Sequence, residues 1–381
     1  MLLIRNIDVY APEALGVKDV LIGGNKILKI ANDLSAWAQD IQVIDGSNKK
    51  LLPGFIDQHV HITGGGGEGS FRTRVPEITL SKLTRAGVTT VVGLLGTDST
   101  TRSVENLVAK AKALKEEGIS AYALTGSYDF PTVTLTGEVK KDISFVEEII
   151  GCKLAISDHR CPNLTLEQLT QLASDVRVAG MLSGKAGILT LHMGDGKEGM
   201  SPIFEVLNKT NLPVRTMRPT HVNRQEKLLY QAFEYAKMGG LIDMTCGIKK
   251  NMRPADAVEL ALNSNVPQEN ITISSDGYGS WSKYDDQGNL KEIGVAQVDK
   301  NFNEFVYMVK EKGLCISQAL LYFTSNVAKG LNLYPQKGSI SEGSDGDVLI
   351  IDDSMDLDTV ICMGKIAILE KEVLRYGTYE E

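Results

Sequence analysis

Gly54-Phe55-Ile56-Asp57-Gln58-His59-Val60-His61 follows Pro53 and a charged loop, and is apolar enough to read as a buried strand. Successive side chains on a strand point to opposite faces. Asp57, His59 and His61 therefore share one face, and Ile56 and Val60 the other. Two histidines placed this way can close on one metal ion. The plain alternative is a buried strand with two hydrogen-bonded imidazoles. The residues just beyond, Gly64-Gly65-Gly66-Gly67-Glu68, form a loop almost without side chains, which lets a ligand approach the backbone closely.

Downstream of this strand, short apolar runs alternate with amphipathic helical stretches. Runs at 89–95, 120–125, 152–156, 187–192, 214–221, 241–245 and 270–275 bring the strand count to eight. Helical spacing over 104–117, 166–178, 227–237 and 255–262 separates several of them. Repeated strand–helix units predict a parallel sheet, and eight of them suggest an α/β fold of the (β/α)8, TIM-like barrel type. A doubly wound open sheet is the competitor. No Gly-x-Gly-x-x-Gly follows the first strand, which counts against a nucleotide-binding version.

Both ends of the chain read as short strands. Residues 2–5, 17–22 and 26–30 lie at one end, and 347–351, 359–363 and 366–369 at the other. Neither set closes a core alone. One small β-sandwich domain built from both termini is expected, with residues 1–52 and 336–381 flanking a barrel at 53–335.

The chain has 381 residues, 43% hydrophobic and 23% charged, an ordinary globular composition. No run of about 18 apolar residues predicts a membrane span. A formal net charge of -8 argues against a nucleic-acid partner. Cys152, Cys161, Cys246, Cys315 and Cys362 are dispersed, as expected of free thiols in the cytoplasm.

The polar residues of interest share one position in the repeat. His59 and His61 end the first strand, Lys153 lies in the fourth, His192 ends the fifth, His221 follows the sixth and Asp276 the eighth. In a barrel those strand ends meet at one face, where active sites sit. Only five histidines occur, and four lie at strand ends. Histidines and a carboxylate suit zinc and neighbouring first-row metals. Four imidazoles and one carboxylate exceed the needs of one tetrahedral ion, but suit two ions about 3.5–4 Å apart. Lys153 reads either as an ion-paired lysine or as a desolvated amine. The neutral amine could take up carbon dioxide and bridge two metals as a carbamate.

The opening strand resembles that of the amidohydrolase superfamily. A closer likeness is carried by Gly64–Glu68, Val91–Asp98, Ile156-Ser157-Asp158-His159-Arg160, His192–Asp195, Pro219–Arg224 and Ser274–Gly277, which resemble the isoaspartyl dipeptidase family over nearly the whole chain. That resemblance implies two zinc ions, one held by His59, His61 and Asp276, the other by His192 and His221. Carboxylated Lys153 and a hydroxide would bridge them. It implies that Gly66, Glu68, Thr97, Tyr128, Arg160, Arg224 and Ser280 contact a β-aspartyl dipeptide. Asp276 would act as general base and acid, with Tyr128 near the substrate carbonyl. A homo-octamer is implied as well. Departures from the family lie on loops, at 197–200 and 247–253.

The chemistry of the residues agrees with these roles. Glu68 can pair with an α-amine, and each of the two arginines can grip a carboxylate bidentately. A cyclic-amide hydrolase of the dihydroorotase or hydantoinase type could share the metal site but has no need of Glu68 and both arginines. A non-catalytic scaffold on the same fold is the rival from another class. His159 is expected to support its neighbours without binding metal. Asp57 either orients an imidazole or fills the barrel floor.

Overall fold

Eight parallel strands share a large apolar core with the helices outside them: β1 (Phe55–Val60), β2 (Val88–Gly93), β3 (Ser120–Gly126), β4 (Ile149–Ile156), β5 (Ile188–Met193), β6 (Met217–Thr220), β7 (Ile242–Thr245) and β8 (Ile271–Ser274). The structure, a computed structural model, describes residues 1–247, 252–285 and 287–380. Most of the 247–253 loop thus lies outside the described residues.

Each strand pairs with its neighbours in chain order, from β1 to β8. The ring closes without a regular ladder between the first and last strands. A single parallel bridge joins Val60 to Gly277, and His61 N donates to the Gly277 carbonyl at 2.8 Å. Asp57 completes the closure, accepting from the backbone N of Ser275 at 3.3 Å and from its hydroxyl. It also accepts from His59 N at 3.3 Å. Asp57 therefore joins β1 to the residue just past β8, a role sequence left open. The closed ring rules out the doubly wound sheet.

All six residues of β1 are buried, as expected of a strand with one face to the barrel interior and the other to a helical layer. On the outer side Phe55 stacks on Phe323 at 5.2 Å and meets Phe305 edge-on at 5.5 Å. Burying a phenylalanine contributes about 1.5–3 kcal/mol. Helix boundaries follow local chemistry. Ser103 caps Val104–Glu117, which ends at Gly118 with φ 103°. Thr165 and Gln168 form a reciprocal capping box on Leu166–Ser183.

The terminal strands form one nine-stranded sheet. Val348–Ile351 runs antiparallel to Lys50–Pro53, so both ends of the chain meet beside the entry to β1. A separate apolar cluster including Leu2, Ile4, Val20, Val348 and Ile361 fills it. Buried Lys337 ties the C-terminal part to the barrel, donating to Ser120 Oγ at 2.6 Å and pairing with Asp345 and Asp347.

Two local readings change. Residues 214–216 form a 3-10 turn after Pro213, and β6 begins only at Met217. A hairpin of Ser280–Tyr284 and Leu290–Val295, unforeseen from sequence, follows β8. All five cysteines are unpaired, and Cys315 is exposed. Among the described residues no helix is long and apolar enough to cross a membrane.

Candidate metal and substrate site

The C-terminal ends of the strands bring His59, His61, Lys153, His192, His221 and Asp276 together, all buried. His221 and Asp276 lie just past their strands with φ 61° and 54°. This left-handed backbone is uncommon outside glycine, with Asp and His among the residues that adopt it more often. Such turns concentrate at functional sites.

His59 Nε2 and His61 Nε2 lie 3.4 and 3.2 Å from Asp276 Oδ1. Lys153 Nζ is 3.0 Å from His59 Nε2. Donor atoms of His59, His221 and Asp276 all fall within 4.8 Å of one another. The rings of His192 and His221 meet at 4.6 Å. Glycine backbone makes room for this crowding: a Cβ on Gly96 would come within 2.9 Å of His61, and one on Gly279 within 2.7 Å of Asp276.

The cluster is electrostatically prepared for a cation. Burial drives His59, His192 and His221 well below the ordinary imidazole range, so they are neutral donors. Burial also lowers Lys153 to about 7. Asp276 stays ionised: burial raises its carboxyl, but the His221 imidazole beside it and the hydrogen bond from His61 outweigh this. His61 Nδ1 is buried with no hydrogen-bond partner. Neutral imidazoles, an orphaned ring nitrogen, an ionised carboxylate and a lysine amine in one cluster fit a metal centre.

A buried polar floor orients these groups. Asp243 accepts from Thr220 at 2.7 Å, Ser274 at 2.7 Å and Gln58 at 2.6 Å. Thr220 Oγ1 in turn lies 3.4 Å from His59 Nδ1. With its proton given to Asp243, that hydroxyl can only accept, which turns the His59 Nε2 lone pair toward Lys153 and Asp276. Buried Arg218 bonds Gln58 and, at 2.8 Å, Thr190.

Above the cluster lies a cavity of about 310 Å³, lined by Gly66, Glu68, Thr97, Tyr128, Arg160, Arg224 and Ser280 together with His61, His192 and Asp276. Glu68 Oε1 accepts from Ser280 Oγ at 2.7 Å and faces Thr97 Oγ1 at 3.5 Å and Arg160 Nη1 at 3.4 Å. Its Oε2 is buried and unpartnered. The glycine loop beneath it is pinned rather than loose. Gly64 and Gly66 have φ of 78° and 81°, and a Cβ on either would strike the backbone of Val75 or Thr73. Arg102 clamps the loop through the carbonyls of Thr63, Gly65 and Val75.

Tyr128 donates to His192 Nδ1 at 2.6 Å, and burial raises its phenol, keeping it protonated. The Nε–Nη2 edge of Arg160 is taken up by Asp158, leaving its outer edge toward Glu68 and the cavity. Arg224 is freer: its Nε is buried without a partner. His159 is exposed and packs edge-on against Tyr284 of the hairpin at 4.8 Å. Asp158, Arg102, Asp243 and Trp281, another residue of the cavity wall, went unread as site residues from sequence.

Comparison with known proteins agrees with this architecture. The amidohydrolase family model matches residues 51–367. A β-aspartyl dipeptidase from Fervidobacterium islandicum, solved in complex with β-Asp-Leu, is 41% identical with a TM-score of 0.95, covering 100% of this chain and 98% of its own. A dihydroorotase from Streptococcus thermophilus is 34% identical over 93% of this chain and 90% of its own length. The dihydropyrimidinase from Brevibacillus agri, 18% identical with a TM-score of 0.70 over 98% of this chain and 96% of its own, shares the fold. On the family match and the 41% and 34% likenesses, the chain belongs to the amidohydrolase family and is a hydrolase.

Proposed function

We propose that this hydrolase is a binuclear zinc dipeptidase that cleaves the isopeptide bond of β-aspartyl dipeptides. The observation that carries the reading is the free, buried Oε2 of Glu68 in the same cavity as Arg160 and Arg224, directly over the histidine cluster. A β-aspartyl dipeptide carries one ammonium and two carboxylates around its scissile amide, and these three groups meet them. The 41% identity to a β-aspartyl dipeptidase supports the same substrate class.

In this reading His59, His61 and Asp276 would hold one zinc and His192 and His221 the other, with carboxylated Lys153 as a further ligand. Bound zinc ions would polarise the amide carbonyl and bring a water molecule's pKa toward neutrality. Asp276 takes the proton of the attacking water and passes it to the leaving amine. Tyr128, protonated and already a donor in this structure, turns its hydroxyl to the developing oxyanion. Glu68 receives the ammonium, with Ser280 and Thr97 holding its other oxygen. Arg224 and the outer edge of Arg160 take the carboxylates, and Gly66 offers backbone at the cavity wall. Five unpaired cysteines support a reducing compartment, the cytoplasm. A homo-octamer with its barrel at 53–335 completes the proposal.

Likeness to a dihydroorotase keeps a cyclic-amide hydrolase as the second reading. Hydrolysis of β-Asp-Leu, α-Asp-Leu, dihydroorotate and a hydantoin by the zinc-loaded protein separates the two. Turnover of β-Asp-Leu alone is expected. Preference for either cyclic amide would overturn the dipeptidase assignment.

A further inference from the structure

Asp158 takes no part in the chemistry above, yet its side chain is 1% exposed and lies among the groups that do. Its Oδ1 accepts from the backbone N and from Nε of Arg160, both at 2.9 Å, and its Oδ2 from Arg160 Nη2 at 2.8 Å. The same Oδ2 accepts from His192 Nε2 at 3.0 Å, and Arg224 Nη1 stands 4.0 Å away. Backbone around it is built for close approach. A Cβ on Gly194, just past β5, would strike Asp158 and the Ser157 carbonyl. Glycine there lets the loop bearing Asp158 lie against the strand that carries His192.

An ionised carboxylate can only accept hydrogen bonds. Asp158 is held as a carboxylate by geometry: three N–H donors of Arg160, its backbone N, Nε and Nη2, converge on the two oxygens and leave neither one free to carry a proton. The bond to His192 therefore puts the ring proton on Nε2 and leaves the Nδ1 lone pair facing Tyr128 and the cavity. That lone pair is the one a metal ion would use.

We propose that Asp158 is a positioning residue that fixes the tautomer of His192 and the pose of Arg160 together, coupling the metal end of the site to its carboxylate-reading end. The inference rests on the roles given above to His192 and Arg160. It predicts that one substitution disturbs two properties that no direct contact links.

Cobalt titration of the metal-free full-length protein tests it without any substrate. Asp158→Asn keeps the shape but removes the charge and one acceptor. One of the two cobalt sites is expected to weaken roughly 10–100-fold, the usual cost of losing such an outer partner, with the other unchanged. KM for β-Asp-Leu should rise in the same variant. Arg160→Met, which leaves the His192 contact intact, should raise KM and leave the cobalt isotherm as in wild type. An unchanged isotherm in Asp158→Asn would overturn the proposal. If β-Asp-Leu is not the substrate, KM is lost as a readout but the isotherms still decide.

A second measurement needs no variant. Only five histidines occur, so selective 15N-histidine labelling resolves them. His192 in the metal-free wild type should carry its proton on Nε2. A proton on Nδ1, or an even mixture, would refute the coupling whether or not Asp158→Asn folds.

Discussion

Replacing Glu68 by glutamine isolates what its free oxygen does. In the structure Oε1 is committed to Ser280 at 2.7 Å, while Oε2 is buried with no partner. A substrate ammonium arriving there forms a charge pair screened little by water. Breaking such a pair at one partner costs about 2–5 kcal/mol. At about 1.4 kcal/mol per tenfold, kcat/KM for β-Asp-Leu should fall roughly 30-fold at the low end and a few thousandfold at the high end. The low end is favoured here, because glutamine can still accept from Ser280 and keep the loop in place. Zinc content should match wild type, since Glu68 is no metal ligand in this scheme. The control substrate is succinyl-leucine, which lacks the α-amine. Wild type should handle it poorly, and Glu68→Gln should lose little more. Equal losses on both substrates would refute the reasoning and leave Glu68 a role in proton transfer or loop support.

Other outcomes follow from the metal cluster. Lys153→Ala should fold but lose most of its zinc by elemental analysis, and short carboxylic acids should partly restore activity; full zinc content and rate would end the carbamate idea. Asp276→Asn should lower kcat about 10²–10⁴-fold with a much smaller change in KM, measured under zinc saturation. Lys153 is lowered to about 7, and only the neutral amine adds carbon dioxide. Its neutral fraction is lost as pH falls through 7, so at fixed dissolved carbon dioxide the rate of zinc uptake by metal-free protein should rise roughly tenfold from pH 6 to pH 8. A flat profile would argue against carboxylation as the loading step.

How much of this was legible in the sequence depended on whether a signal was local. Strand β1 was readable as a buried run ending in a His-x-His pair, but its strict alternation was not: the pairing with β2 slips between Asp57 and Val60, Ile56 and Val60 pack in different apolar clusters, and Gln58 reaches the barrel interior beside His59. The glycine loop and Glu68 could be read as a motif, although its rigidity could not: the carbonyls of Val75 and Thr73 that demand Gly64 and Gly66 come from a later segment. Asp158 stood in plain view two residues before Arg160, but its partners His192 and Arg224 lie on β5 and in the turn past β6, and a single acid has no periodicity to mark it. The floor network is similar, with Gln58 and Asp243 185 residues apart. Arg218 did offer a clue, as an arginine beside the proline and threonine of a short, otherwise apolar strand. The hairpin at 280–295 also offered one, in Asp285 and Gly288 between two runs of strand-forming residues.

The joint between β1 and β8 has a consequence for biosynthesis. Asp57 and Ser275 are 218 residues apart, and the donor groups His59 and Asp276 sit right beside them. At about 5–20 residues per second, a ribosome needs roughly 10–40 s to travel from one to the other. Throughout that interval the nascent chain displays a His-x-His pair with no carboxylate opposite it and an unpaired strand edge. Metal that binds early binds an incomplete set of donors. Under the two-metal proposal, loading with both ions would therefore be a late event, open only after the eighth strand has emerged and docked. Cells starved of zinc during a burst of synthesis should accumulate closed, metal-free barrels that are activated later, without new translation.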